Sequence, residues 1–126
     1  NKLDMFSEMR LAALLAKGVS LDATSIPAHT ALQMATLNGA RALGLDDKIG
    51  SLVTGKCADL IAVDLAHINT LPTFDPASSL VYSAGREQVS HVWVNGKLLV
   101  DNHQYTQLDE RALKMTAKVW QNRIQS

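Results

Sequence analysis

IGSLVTGKCADLIAVD, residues 49–64, admits two readings, and each commits the chain to a different fold. From Gly50 the spelling is G-S-L-V-T-G-K-C, one residue short of the phosphate-binding loop G-x-x-x-x-G-K-[ST]. Such a loop needs a strand before it, a helix after it, and a closing hydroxyl that holds magnesium. Cys57 stands where the hydroxyl belongs, and a thiol is a poor ligand for so hard a cation. The flanks disagree too. Gly44, Leu45, Asp46, Asp47 and Lys48 are turn chemistry, not a strand. Residues 58–64 form a short apolar run bounded by acids, which reads as a buried strand and not a helix. Gly50 and the Gly55-Lys56 pair therefore punctuate two short strands, expected at 51–53 and 58–64, and no nucleotide site is expected.

The surrounding chain sets the frame for those strands. Its 126 residues suffice for one domain with a core. Hydrophobic residues make up 47% of it, too many for a disordered segment. Twelve basic residues balance twelve acidic ones, so no charge excess points to nucleic acid or to a charge-driven partner. Apolar runs fall far short of the roughly 20 residues of a membrane span. A single cysteine excludes an intrachain disulfide and fits a reducing, cytoplasmic compartment. Asn1 runs into Leu3, Asp4, Met5 and Phe6 with no strand or signal pattern ahead of them. The chain is expected to begin inside a larger fold.

Toward the N-terminus, LDMFSEMRLAALLAK predicts a helix over 3–17, with Lys17 and Gly18 as its stop. Leu3, Met5, Phe6, Met9, Leu11, Ala12, Leu14 and Leu15 cover most of its circumference, and a helix apolar all round is buried on several sides. Pro27 opens a second helix. Asn38-Gly39 predicts a break, with Thr36 capping a new short helix that ends at Gly44. Toward the C-terminus, DPASSLVYSA has the makings of a helical turn. VSHVWV and KLLVDN flank Asn95-Gly96, the signal of a hairpin with a two-residue type I′ turn. Residues 108–125 form an amphipathic helix with Asp109 as N-cap, Leu108 stapled to Leu113, and Ala112, Met115, Val119 and Trp120 as its buried stripe.

Side chains that carry chemistry are present but scattered. His29, His67, His91 and His103 show no metal-ligand spacing. His29 reads as a polar-face residue and His91 as a boundary residue of a strand. Cys57 has no histidine nearby to activate it. Asp59 and Asp64 flank a strand, where carboxylates bond backbone N–H groups more often than they perform acid–base chemistry. Trp93 and Trp120 read as core or contact residues. No catalytic constellation is complete.

Taken in order, NKLDMFSEMRLAALLAKG, ALQMATLNGARALGLDDKIGSLVTGKCADLIAVD and VWVNGKLLV resemble the C-terminal part of amidohydrolase-superfamily deaminases. The likeness is to the methylthioadenosine/S-adenosylhomocysteine deaminase and chlorohydrolase-like branch, over nearly the whole chain. It implies an α+β fragment: the terminal helices of a (β/α)8-type metal-hydrolase barrel, the C-terminal part of a small β-sandwich, and a closing helix. Residues 1–44 would be the last barrel helix and the exit helices. Residues 45–126 would be the sandwich strands and the closing helix. The implied reaction is hydrolytic deamination of an aminopurine nucleoside or related heterocycle, with a divalent metal, zinc by the resemblance. A chlorotriazine could undergo the same displacement.

The resemblance places the metal-binding histidines, the general acid and the last metal-ligand aspartate ahead of Asn1. No catalytic or metal-ligating residue is therefore expected in this chain, and only Asn1 and Met5 are expected near substrate. The chain alone is expected to be inactive, and its partners would be the preceding barrel region or another copy of itself. Against this stands a non-enzymatic reading, a free-standing α+β binding domain, which requires a closed core and no unpaired strand edge. One expectation holds on either reading. A type I′ turn needs positive φ at Gly96, which a β-branched residue resists, so Gly96→Val should lower stability by about 1 kcal/mol or more. An unchanged melting temperature would exclude a tight hairpin.

Overall fold

The computed structural model describes residues 2–125. Helix α1 spans Met5–Ser20. Asp4 starts it by accepting the Ser7 N–H at 3.3 Å, and Leu21 ends it in the left-handed region at φ 54°. The predicted stop at Gly18 does not operate. Gly18 does not take the left-handed φ of a glycine stop; Leu21 takes that conformation instead, so the helix continues to Ser20.

Helix α2, Ala28–Gln33, is followed without interruption by a π-helical segment, Met34–Asn38, and by helix α3, Gly39–Ala42. The predicted break at Asn38-Gly39 is therefore a widened turn. Gly39 keeps helical φ and donates its N–H to Met34 O, and the Thr36 hydroxyl bonds back to Leu32 O at 2.7 Å instead of capping a new helix. Gly44, at φ 68°, ends the run as expected.

Helix α4, Pro76–Tyr82, turns the expected helical turn into a full element. Asp75 accepts the Ala77 and Ser78 N–H groups, and Pro76 occupies the first turn, where its missing N–H costs nothing. Met9 and Ala13 of α1, Ala28 and Ala31 of α2, and Ala77 and Val81 of α4 make the buried core, with Phe6, Ile26, Leu32 and Tyr82 packed around it. Four of the six are alanines, so the backbones approach closely. Arg10 ties α1 to the end of α4, donating from Nε to Val81 O at 3.1 Å and from Nη2 to Ala84 O at 2.6 Å.

Four antiparallel strands follow in the order β1-β2-β3-β4: Leu60–Val63, Val89–Val94, Lys97–Asp101 and Gln104–Tyr105. The strand expected at 58–64 is thus β1, shorter at both ends. The strand expected at 51–53 does not form. Those residues lie in a turn, where Val53 and Lys56 direct their N–H groups to Ser51 O and Val53 O instead of a neighbouring strand. The hairpin is as expected: Asn95 and Gly96 have φ of 50° and 74°, and Val94 pairs with Lys97. Ser90 is bulged out of the β1–β2 ladder, since Ala62 pairs with His91 and Val63 with Val89. Leu99 is bulged out of the β2–β3 ladder in the same way.

Helix α5, Glu110–Gln125, is capped by Asp109, which accepts the Arg111 and Ala112 N–H groups. Its expected buried stripe is not buried: Met115, Val119 and Trp120 are each at least half exposed, as are Leu108 and Leu113. The pattern made α5 amphipathic, but the described chain brings nothing over that face. The same holds for the outer side of α1, where Leu11, Leu14 and Leu15 are exposed. Among the described residues β1 and β4 each have one neighbour, so both edges of the sheet are unpaired, where the free-standing reading expects none.

The tightness of the alanine contact is open to direct test. Ala31 is 1% exposed, and Ala31→Leu should cost about 1–3 kcal/mol through overpacking. Denaturant unfolding checks it, and parental stability in the variant would mean that α2 does not pack as described.

Candidate functional site

Gly50, at φ 85°, crosses the helical run so closely that a Cβ would lie 2.7 Å from Ala40 Cβ and 3.0 Å from Leu37 Cα. The glycine is there for this approach and not to admit phosphate. Lys56 confirms it: Nζ donates to Asp46 O and Ile49 O, so the loop's ammonium is spent on its own backbone. The Cys57 N–H bonds Lys48 O at 2.8 Å, and the chain passes into β1 with no helix after the loop. The nucleotide reading is excluded by geometry as it was by spelling.

Gly50 also forms one wall of a groove of about 650 Å³. Met5, Phe6 and Met9 of α1 line one side, and Leu60 and Trp93 of the sheet line the other. The lining is apolar apart from Thr36, Ser51 and Asp59. Asp59 is already committed, accepting the Asn95 N–H at 2.5 Å. The groove can bury apolar surface, but it offers no free acid or base.

Each candidate from the sequence has a place. Met5 is 60% exposed on the groove wall, whereas Asn1 lies outside the described residues. Asp64 accepts the Ala66 N–H at 2.8 Å, so both strand-end acids bond backbone N–H groups, as read from the sequence. His29 is exposed on α2. His67 closes a turn, its Nδ1 accepting the Asn69 N–H at 3.4 Å, and His103 sits in the β3–β4 turn at φ 65°. Cys57 is a free thiol, half-buried. Trp93 stacks on His91, and Arg123 lies over the ring of the exposed Trp120. Among the described residues no three His, Cys, Asp or Glu side chains gather where they could hold a metal ion, so a catalytic zinc does not fit the donors of this chain. None of the helices among the described residues is long and apolar enough to cross a membrane.

Asp4, Arg10 and the Ser90–His91–Asp101 cluster escaped the sequence reading. Asp4 alone had a local signal, an N-cap residue ahead of a helix. Its side chain is 4% exposed and pairs with Lys2 at 3.2 Å. Burial pushes its pKa up, but the Lys2 ammonium and the Ser7 hydroxyl and N–H outweigh that and hold it below the usual aspartate value.

With this geometry in hand, kinship can be assigned. The model of the amidohydrolase family matches residues 1–99, and the chain belongs to that family. It is 44% identical over 124 residues to a 5-methylthioadenosine/S-adenosylhomocysteine deaminase of Teredinibacter turnerae, covering 98% of this chain and 28% of that protein. Against the enzyme of the same name from Moorella thermoacetica it is 53% identical over 109 residues, covering 86% and 26%. Its fold is similar to the crystal structure of an adenosine deaminase from Xanthomonas campestris with bound zinc, at a TM-score of 0.96 and 50% identity, covering 99% of this chain and 28% of that one. The chain thus spans just over a quarter of the length of these relatives.

The depressed Asp4 pKa has a measurable consequence. A carboxylate whose folded pKa lies below its unfolded value contributes stability that is fully present above about pH 3.9 and is lost as pH falls through the folded value. Asp4→Asn keeps an oxygen for the Ser7 N–H and removes the charge. The parent should therefore lose stability below about pH 4 more steeply than Asp4→Asn, and parallel unfolding curves would overturn the assignment.

Proposed function

We propose that this chain is the C-terminal portion of a metal-dependent deaminase that acts on an aminopurine nucleoside of the methylthioadenosine or S-adenosylhomocysteine kind. The observation that carries this is the likeness to a zinc-bound adenosine deaminase at a TM-score of 0.96 and 50% identity, with relatives of matching name. In this reading residues 1–44 hold the last barrel helix and the exit helices. Residues 45–126 hold C-terminal strands of a small β-sandwich and the closing helix. The parent protein is cytoplasmic.

The overall reaction replaces the ring amino group with oxygen from water and releases ammonia. The metal, zinc in the similar adenosine deaminase, and the groups that move protons belong to the part of the parent that this chain does not span. What the chain contributes is placement. In a (β/α)8 barrel the catalytic face lies at the C-terminal ends of the strands, which is where each following helix begins. The first turn of α1, fixed by Asp4, then stands at that face, with Met5 offering an apolar surface to substrate. The outer face of α1 is covered by the barrel or, in isolation, by another copy of the chain.

Metal content and ammonia release from methylthioadenosine and S-adenosylhomocysteine test this on two samples: the 126-residue chain and a protein joining it to an amidohydrolase barrel of a relative. The first should hold no stoichiometric zinc and release no ammonia; the second should do both. Turnover with bound zinc in the chain alone would overturn the proposal, as would a metal-loaded joined protein inactive on both nucleosides.

A further inference from the structure

Ser90 and His91 are neighbours in β2, and regular strand alternation would send their side chains to opposite faces. They meet instead: Ser90 Oγ lies 2.9 Å from His91 Nδ1. The bulge at Ser90 is the reason, because it takes that residue out of the ladder and re-aims its side chain. The Ser90 hydroxyl also reaches Ala62 O on β1 at 3.3 Å. On the other side His91 Nε2 lies 3.2 Å from Asp101 Oδ1 on β3, one step along from the Val92–Val100 pair. His91 therefore sits between its two neighbouring strands, with its ring stacked on Trp93 at 5.5 Å and 11°.

Proton counting gives this cluster two states. A hydroxyl has one proton to donate, a carboxylate only accepts, and a neutral imidazole has one N–H. All three contacts are made together only by the imidazolium, which donates from Nε2 to Asp101 and from Nδ1 to Ser90 Oγ, freeing the Ser90 proton for Ala62 O. In neutral His91 the remaining proton belongs on Nε2, because a bare Nε2 lone pair would face the Asp101 carboxylate. Nδ1 then accepts from Ser90, and Ala62 O loses the Ser90 hydroxyl. We propose that His91 is a proton-operated switch of one cross-strand bond: protonation turns the Ser90 hydroxyl onto Ala62 O and adds a side-chain tie between β2 and β1, and deprotonation removes that tie while the backbone ladder between the two strands stays.

Few other charges bear on the switch. Asp59 and Asp64 flank β1 and are turned to the N–H groups of Asn95 and Ala66. Lys97 lies at the opposite end of β3 from Asp101, beside the hairpin turn. His103, in the β3–β4 turn, presents its backbone N–H to Ser90 O at 2.9 Å.

NMR of the 13C,15N-labelled chain tests the proposal: long-range proton–nitrogen spectra read the tautomer of His91, identified by its ring contact to Trp93, and carbonyl-carbon spectra read Ala62. Neutral His91 should be the Nε2–H tautomer, with Nδ1 a hydrogen-bond acceptor. The Ala62 carbonyl-carbon signal should shift in step with His91 as pH is varied, and that shift should vanish in Ser90→Ala. An Nδ1–H tautomer, an Ala62 signal that ignores His91, or an equal shift in Ser90→Ala would each overturn it. The tautomer measurement needs only the parent chain, so it decides the matter even if the variant fails to fold.

Discussion

The whole arrangement depends on how closely α1, α2 and α4 approach one another. Ala13, Ala28, Ala31 and Ala77 occupy the contact, and side chains of one carbon let the backbones draw near without leaving a cavity. Small residues contribute little transfer free energy each, since hydrophobic stabilisation scales with the apolar area removed from water. The contact is therefore precise but weakly held, and Val81 is its one large side chain under 2% exposed. Arg10 adds what the alanines cannot. Its two bonds to carbonyls at the end of α4 bridge more than 70 residues of sequence, and they meet the negative end of a helix dipole.

A core so small cannot account for the amount of apolar surface the chain carries. Leu11, Leu14 and Leu15 face outward from α1, Val119 and Trp120 from α5, and Met5 borders an open groove. These are good core residues with nothing over them. The relatives this chain matches are more than three times as long, and on the reading proposed above these outer faces are the ones a larger fold would cover.

How much of this was readable in advance depended on the range of the forces involved. Local chemistry read true. Asn95-Gly96 gave its turn, Asp109 its cap and Gly44 its helix end. Features set by distant partners did not. Residues 51–53 look like a strand by composition, yet no ladder reaches them. Gly18 looks like a stop, yet the left-handed residue that ends the helix is Leu21. The α5 stripe was correct as a pattern and wrong as a statement of burial, because amphipathicity reports that a face should be covered and not that it is. Arg10 and the Ser90–His91–Asp101 cluster left no trace in sequence. The first joins residues far apart, and the second exists only because two bulges shift the register.

The widened turn from Met34 to Asn38 changes the angle between the two faces that one helical run uses. Ala31 faces the three-helix core, and Ala40 faces Gly50 at the approach to the sheet. Nine residues at about 3.6 per turn make two and a half turns, so in an unbroken α-helix those alanines would look in opposite directions. The π segment spends more residues per turn and arrives at a different phase. It acts as a gear between the helical layer and the sheet, setting the angle at which one half of the chain is offered to the other. Chain length in this segment is therefore angular information: one residue gained or lost would rotate Ala40 away from Gly50, even with every side chain retained.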